Sequence, residues 1–245
     1  MRLIAANWKM NPQTMEEARR LASQMEHGSM HESHKVEIAL CVPFVFLTAL
    51  KHTVHHVKLG AQNMSEHEKG PHTGEISALQ LKHLGIKYVI VGHSERRALG
   101  EDDEFISNKL KMAHAHKLHP ILCVGYGTTQ KTMFTAEKKL LTKQLQAALK
   151  GVNFERGGLT IAYEPAWTIS RGLGTAKPVA AERSASVIEF IKDKYPEARV
   201  IYGASVTGEN VDTLSRFRVI EGALVGGASL DAIQFLKIIK SFAKE

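Results

Sequence analysis

Four runs in this chain place ionisable or hydrogen-bonding residues directly after an apolar stretch. Asn7-Trp8-Lys9-Met10-Asn11 follows Leu3-Ile4-Ala5-Ala6, and Gly92-His93-Ser94-Glu95-Arg96-Arg97 follows Tyr88-Val89-Ile90-Val91. Glu164-Pro165-Ala166-Trp167 follows Leu159-Thr160-Ile161-Ala162-Tyr163, and Gly226-Gly227-Ala228-Ser229 follows Gly222-Ala223-Leu224-Val225. Glu164 closes its apolar run, and the proline after it restricts its backbone. A carboxylate at the edge of an apolar core suits a general base. A histidine at a strand end, as at position 93, can serve as an acid or electrophile. Alternate residues of a strand share a face, so Asn7 and Lys9 point the same way. An amide and an ammonium inside a barrel would be costly without an anionic or polar partner. Glu95 can pair with Lys9 or with a neighbouring arginine. The glycines at 226 and 227 let backbone N–H groups converge on an anion, with a following helix adding positive potential. Each piece also has a plainer reading: a rim glutamate paired to arginine, a structural histidine, a frayed strand end, a tight turn.

These residues need a scaffold that brings strand ends together. Short apolar runs recur, beginning near Leu3, Val36, Val57, Ile86, His119, Leu159, Ala198 and Ile220. They lack clean polar alternation, which suits strands buried on both faces of a parallel sheet. Between them, residues 14–25, 104–116, 135–149, 180–194 and 229–242 carry apolar side chains at three- and four-residue steps, the spacing of amphipathic helices. Thr14 with Glu17 reads as a capping box. Eight strand–helix alternations in 245 residues favour a closed (β/α)8 barrel over an open sheet, and residues 1–245 read as one domain. In such a barrel, working residues sit where strands give way to loops, and the loops after strands 7 and 8 are the usual phosphate site. Tyr202-Gly203-Ala204-Ser205-Val206 supplies the strand 7 exit.

Composition removes several classes of function. Apolar residues make up 44% and charged residues 23%, which supports a core and a solvated surface. No apolar run is long enough for a membrane span, and the first nine residues lack a signal-peptide layout. The expectation is a cytoplasmic protein with no membrane partner. Lysine and arginine number 32 against 25 acidic residues, a balance of +7, but the basic residues are scattered and aromatics are only 7%. That pattern argues against nucleic acid and fits a basic surface that attracts anionic metabolites. Cys41 and Cys123 lie in separate apolar runs and read as buried free thiols. His52, His55 and His56 have helical spacing, but without a cysteine or carboxylate among them a metal site is not expected.

In order and spacing, the runs resemble the triosephosphate isomerase family along essentially the whole chain. The stretches that carry the resemblance are Ala6–Asn11, Gly60-Ala61-Gln62-Asn63, Thr73-Gly74-Glu75-Ile76-Ser77, Gly92–Arg97, Ala162–Trp167, Tyr202–Val206 and Leu224–Leu230. The resemblance implies a single-domain TIM barrel that interconverts D-glyceraldehyde 3-phosphate and dihydroxyacetone phosphate through an enediol(ate), in glycolysis and gluconeogenesis. It implies Glu164 as the base and His93 as a neutral imidazole that polarises the carbonyl; this pair is a standard illustration of how environment sets an acid–base role, so the assignment is carried over from the family. It implies Lys9 beside the developing oxyanion, with Asn7 and Glu95 holding it in place. Backbone N–H groups of Ser170, Ser205, Gly226 and Gly227 would hold the phosphate, and Ile169 and Leu224 would press on Glu164 when the loop after it closes. No metal or organic cofactor is needed for a proton shift. The family is dimeric, and Thr73 matches the residue that reaches into the partner's site. An aldolase- or epimerase-like barrel would need a Schiff-base lysine or metal ligands at strand ends, and neither is evident; a retired barrel kept for binding would not be expected to keep Glu164, His93 and Lys9. The chain departs from the family pattern at Ser170-Arg171-Gly172-Leu173-Gly174, at Tyr126 where strand 5 usually ends in glutamate, and at Ala204 where glycine is usual.

Overall fold

β1 (Arg2–Asn7) pairs in parallel with β2 (Val36–Val42) on one side and with β8 (Gly222–Val225) on the other. That double pairing closes the sheet. In this computed structural model, which describes residues 1–165 and 180–244, the order around the barrel is β1 to β8 with every neighbour parallel. The remaining strands are β3 (Lys58–Ala61), β4 (Tyr88–Val91), β5 (His119–Val124), β6 (Thr160–Tyr163) and β7 (Arg199–Tyr202). The eight apolar runs of the sequence are therefore the eight strands, and the expected (β/α)8 barrel is the observed fold.

The period-2 geometry of a strand splits each run between two cores. Leu3, Ala5, Cys41, Ile90, Cys123, Ala162, Ile201 and Leu224 form an inner cluster that fills the barrel. Their neighbours Ile4, Ala6, Leu40, Val91, Leu122 and Tyr163 join the larger cluster beneath the surrounding helices. Both faces of the sheet are covered, which is why the runs show no alternation. The same parity projects Asn7, following Leu3 and Ala5, and Glu164, following Ala162, toward the barrel's inner mouth.

Five helices lie where the spacing predicts them: α1 (Met15–Gly28), α5 (Asp103–Ala115), α6 (Phe134–Ala148), α7 (Ala181–Lys194) and α9 (Ala232–Ala243). The Thr14 and Glu17 capping box at the start of α1 is formed in both directions. The last helix starts later than expected. Gly227–Leu230 is instead a 3-10 turn, and Asp231 caps α9 by accepting the N–H groups of Ile233 and Gln234. Four further helices, α2 (Phe44–Leu50), α3 (Ala78–His83), α4 (Ser94–Ala98) and α8 (Val211–Ser215), span only five to seven residues, too short to show a helical period.

His52, His55 and His56 do not share a helix face, because α2 ends at Leu50. The buried Glu26 carboxylate organises their turn. It accepts the backbone N–H groups of His55, His56 and Val57 and pairs with the His56 ring at 2.8 Å. Among the described residues no group of three or more His, Cys, Asp or Glu is arranged to hold a metal ion. Both cysteines are free and buried. No described helix is long and apolar enough to cross a membrane.

Candidate active site

The four chemistry-bearing runs meet at the C-terminal mouth of the barrel. Their residues lie up to 222 positions apart, between Asn7 and Ser229, so only closure of the sheet unites them.

Glu164 follows β6 and is fixed through its backbone. Its N–H donates to the Val124 carbonyl at 2.7 Å, continuing the β5–β6 ladder one residue past the strand. Two glycines make room for it. Gly125 has φ +116, and a Cβ there would stand 2.2 Å from the Glu164 carbonyl oxygen. Gly203 leaves space for the side chain, since a Cβ at that position would fall 2.9 Å from the Glu164 Cγ. The carboxylate is 2% exposed, so bulk water scarcely reaches it. Its Oε2 accepts the Ser94 backbone N–H at 3.2 Å, and its Oε1 lies 3.4 Å from Nε2 of His93. Two anionic oxygens offer about four lone-pair directions, so acceptor capacity remains.

His93 occupies the N-cap of α4, and its ring is held by the helix it caps. The Glu95 N–H donates to Nδ1 at 3.2 Å. An Nδ1 that accepts an N–H cannot carry a proton, so the network assigns the hydrogen to Nε2, the nitrogen facing Glu164. Nε2 is directed into the site, and the residue is 6% exposed.

Lys9 adopts φ +53, a left-handed conformation that costs a side-chain-bearing residue about 1 kcal/mol or more. The Asn7 side chain supports it by accepting the Lys9 N–H at 3.1 Å. The Lys9 ammonium lies 2.7 Å from Glu95 Oε1. The alternatives left open by the sequence for Glu95 resolve here, because Arg96 bonds Glu101 and Arg97 bonds Asp103 and the Gly92 carbonyl. Lys9 also lies against the strand 8 exit: a Cβ on Gly226 would sit 3.5 Å from Lys9 Cε. Gly226 precedes the 3-10 turn, and its carbonyl accepts both the N–H and the hydroxyl of Ser229. Backbone N–H groups of Gly226 and Gly227 and the Lys9 ammonium thus border one region, a suitable place for an anion.

The family model described as Triosephosphate isomerase matches residues 2–242. The chain belongs to the triosephosphate isomerase family. Proteins named triosephosphate isomerase from Roseiflexus castenholzii, Thermoanaerobacter sp. and Alkaliphilus oremlandii are 42%, 41% and 40% identical to it. The Roseiflexus and Thermoanaerobacter matches cover 86% of this chain, and 86% and 88% of those proteins.

The family frame lets each expected residue be placed. Asn7, Lys9, His93, Glu95 and Glu164 come together as described. Leu224 lies in the inner core on β8, paired with Ala5, and is nearly buried. Ser205, half-buried, follows β7, and its carbonyl accepts from Asn210. Thr73 is exposed beside Gly74, in a loop whose base is closed by the Ser65 N–H on the Ile76 carbonyl. Ile169 and Ser170 lie outside the described residues, as do Trp167 and the unusual run from Arg171 to Gly174. Tyr126, the strand 5 departure, is half-buried, with its carbonyl held by Gln144.

Three contributors escaped the sequence reading. The Ser94 N–H holds the carboxylate, and no side-chain pattern announces a backbone donor. Gly203 clears space for the Glu164 side chain, a role visible only across the β6–β7 register. Cys123 approaches the same carboxylate from β5; burial first, then the neighbouring Glu164 carboxylate, push its thiol well above the usual range. Strand parity on β5 was the available signal for Cys123, since it places that residue inside the barrel two positions before the strand 5 exit.

Proposed function

We propose that Glu164 is the general base and His93 the neutral electrophile of the family's reaction in this chain. The chain is an isomerase that interconverts D-glyceraldehyde 3-phosphate and dihydroxyacetone phosphate, a step of glycolysis. The observation that carries the residue assignment is the contact between His93 Nε2 and Glu164 Oε1 at 3.4 Å, with both side chains almost wholly buried.

The chemistry follows from that arrangement. The Glu164 carboxylate takes a proton from the carbon next to the carbonyl. The C–H electron pair becomes the new C=C bond, and the carbonyl π pair moves onto oxygen. The His93 Nε2–H donates to that oxygen and then exchanges protons between the two oxygens of the enediol(ate). The Lys9 ammonium adds a fixed positive charge where negative charge develops, which is most effective in a site that excludes water. The proton carried by Glu164 returns to the neighbouring carbon, so the cycle consumes nothing. Asn7 and Glu95 hold Lys9, and the N–H groups of Ser205, Gly226 and Gly227, joined by Ser170, receive the phosphate. Ile169 and Leu224 complete an apolar cover over the base.

The working unit in this reading is a homodimer, with Thr73 of one protomer reaching the partner's site. Exposed apolar side chains support it: Met10, Val45 and Leu99 project from the regions after β1, β2 and β4, flanking the Thr73 loop after β3. A cytoplasmic location fits two free, buried thiols.

The test is a coupled assay with glyceraldehyde 3-phosphate. Glu164→Gln keeps size and removes charge, so turnover should drop by several orders of magnitude while a phosphate-bearing competitor still binds. Turnover close to that of the unmodified enzyme would refute the base assignment.

A further inference from the structure

Another buried carboxylate lies on the opposite side of β6 from the reacting site. Glu137, in the first turn of α6, is 0% exposed. It accepts the Tyr163 hydroxyl at 2.5 Å and the Arg183 guanidinium at 2.9 Å. Arg183 belongs to the first turn of α7, and the same nitrogen donates to the Thr132 carbonyl just before α6 at 2.9 Å. One carboxylate therefore joins three pieces of chain: the end of β6, the start of α7 and the loop leading into α6.

What this junction holds is the residue before the base. Tyr163 is fully buried in the outer core, and Glu164 is its immediate neighbour with the opposite strand parity. β6 is four residues long and paired along its length with β5 and β7, and Tyr163 stands at its exit. A phenol anchored on the outer face limits rotation of the strand end about its own axis. That rotation would swing the Glu164 side chain across the mouth of the barrel. Burying an ionised acid costs several kcal/mol before its partners compensate, and an apolar contact could fill the same volume more cheaply. Burial, then the Glu137 charge, raises the Tyr163 phenol well above its usual range, so the O–H remains a donor at any working pH.

We infer that Glu137 is a positioning residue for the isomerisation, acting through Tyr163 to fix the direction in which Glu164 meets the substrate, with Arg183 holding Glu137 in place. The inference rests on Glu164 being the base. Productive proton abstraction tolerates little error, and a displacement of about 1 Å can cost two orders of magnitude in rate. Three of the four proposed phosphate donors, Ser205, Gly226 and Gly227, lie on the β7 and β8 exits, outside this junction.

The experiment compares Glu137→Gln, Tyr163→Phe and the double variant with Glu164→Gln in the coupled assay, using ordinary and carbon-deuterated substrate. Rates are normalised to folded protein measured by circular dichroism. In both single variants kcat should drop about 10- to 100-fold with KM within about threefold, and the primary deuterium isotope effect should rise as proton abstraction becomes limiting. The double variant should be no slower than the worse single variant, since both changes remove one hydrogen bond. If Glu137→Gln does not fold, Tyr163→Phe decides alone, because it leaves the Glu137–Arg183 pair intact. A lower melting temperature with unchanged kcat and isotope effect would show that the junction only stabilises the barrel, overturning the inference. Unimpaired turnover in Glu164→Gln would overturn the base assignment and this inference together. Loss of turnover there, with normal chemistry in Tyr163→Phe, would overturn the role of Glu137 alone.

Discussion

Gly203 makes room for the Glu164 side chain: a Cβ added at Gly203 would fall 2.9 Å from Glu164 Cγ and 3.4 Å from Ala162 Cβ. The base and the glycine sit on adjacent strands, and the Gly203 N–H donates to the Tyr163 carbonyl at 2.8 Å, so neither backbone is free to retreat. Gly203→Ala should therefore displace the carboxylate. Overpacking of this kind costs about 1–3 kcal/mol of stability. The larger effect should be on kcat, with a loss of about 10- to 100-fold, because the displaced group is the base. Steady-state kinetics together with urea unfolding separate the two effects; unchanged kcat would mean that the pocket tolerates the methyl group.

Lys9 tests electrostatics against stability. Its ion pair with Glu95 is partly solvated, with side-chain exposures of 26% and 48%, and such pairs contribute under about 1 kcal/mol to folding. Lys9→Met keeps the stem and removes the charge. The unfolding midpoint should move little, whereas kcat/KM should fall about 100- to 1,000-fold or more, the scale of losing one preorganised oxyanion donor. Comparable losses in stability and rate would show that Lys9 acts through the fold.

His119 gives the barrel an acid-sensitive point far from the reaction. It opens β5, bonds Thr160 at 2.8 Å through Nε2, and is pushed down to about 4 by burial first and then by the Arg199 guanidinium. Lys87 also lowers it and Glu37 opposes the shift. The unfolded chain takes up this proton near 6.5, so between about 6.5 and 4 the unfolded state binds more protons and stability falls as the pH falls. Glu37, which burial would raise but which the Lys87 ammonium, the nearby Tyr88 hydroxyl and the Arg199 guanidinium lower to about 2, continues the loss below pH 4.5. The His119 contribution is at most about 3 kcal/mol. Denaturant unfolding at stepped pH should show this slope, and His119→Gln should flatten it between pH 6.5 and 4; an unaltered slope would remove His119 from the account.

Assembly is open to a direct test. Met10, Val45 and Leu99, which follow β1, β2 and β4, are each at least three-quarters exposed, an unusual cost for large apolar side chains. Val45→Asp places a charge among them. Sedimentation should show a dimer for the parent chain and a shift toward monomer for the variant, with loss of activity that recovers at high protein concentration. A fully active monomeric parent would contradict the dimer and the role given to Thr73.

The sequence by itself determined the barrel and the identities at its mouth. Eight apolar runs without alternation specify strands covered on both faces, and the helical periods between them specify parallel crossovers. The runs around His93 and Glu164 carry the family resemblance, but strand parity stops at Asn7: Lys9 lies beyond β1 with φ +53, its place set by the Asn7 side chain and Glu95. The tertiary structure decided everything that depends on distance between strands. Glu95 could have paired with any of three cations, and only closure of the barrel, which brings the turn after β1 to the start of α4, selects Lys9. The spacing of His52, His55 and His56 suggested a helix face; Glu26, almost thirty positions away, draws their backbone into a turn instead. Four short helices left no periodic trace because two turns or fewer cannot repeat a pattern. Glu137 was legible only as an ordinary helix glutamate. Its burial, and its bonds to Tyr163 and Arg183 across 26 and 46 positions, arise because neighbouring β/α units press α6 and α7 onto β6, and no local rule of sequence encodes that contact.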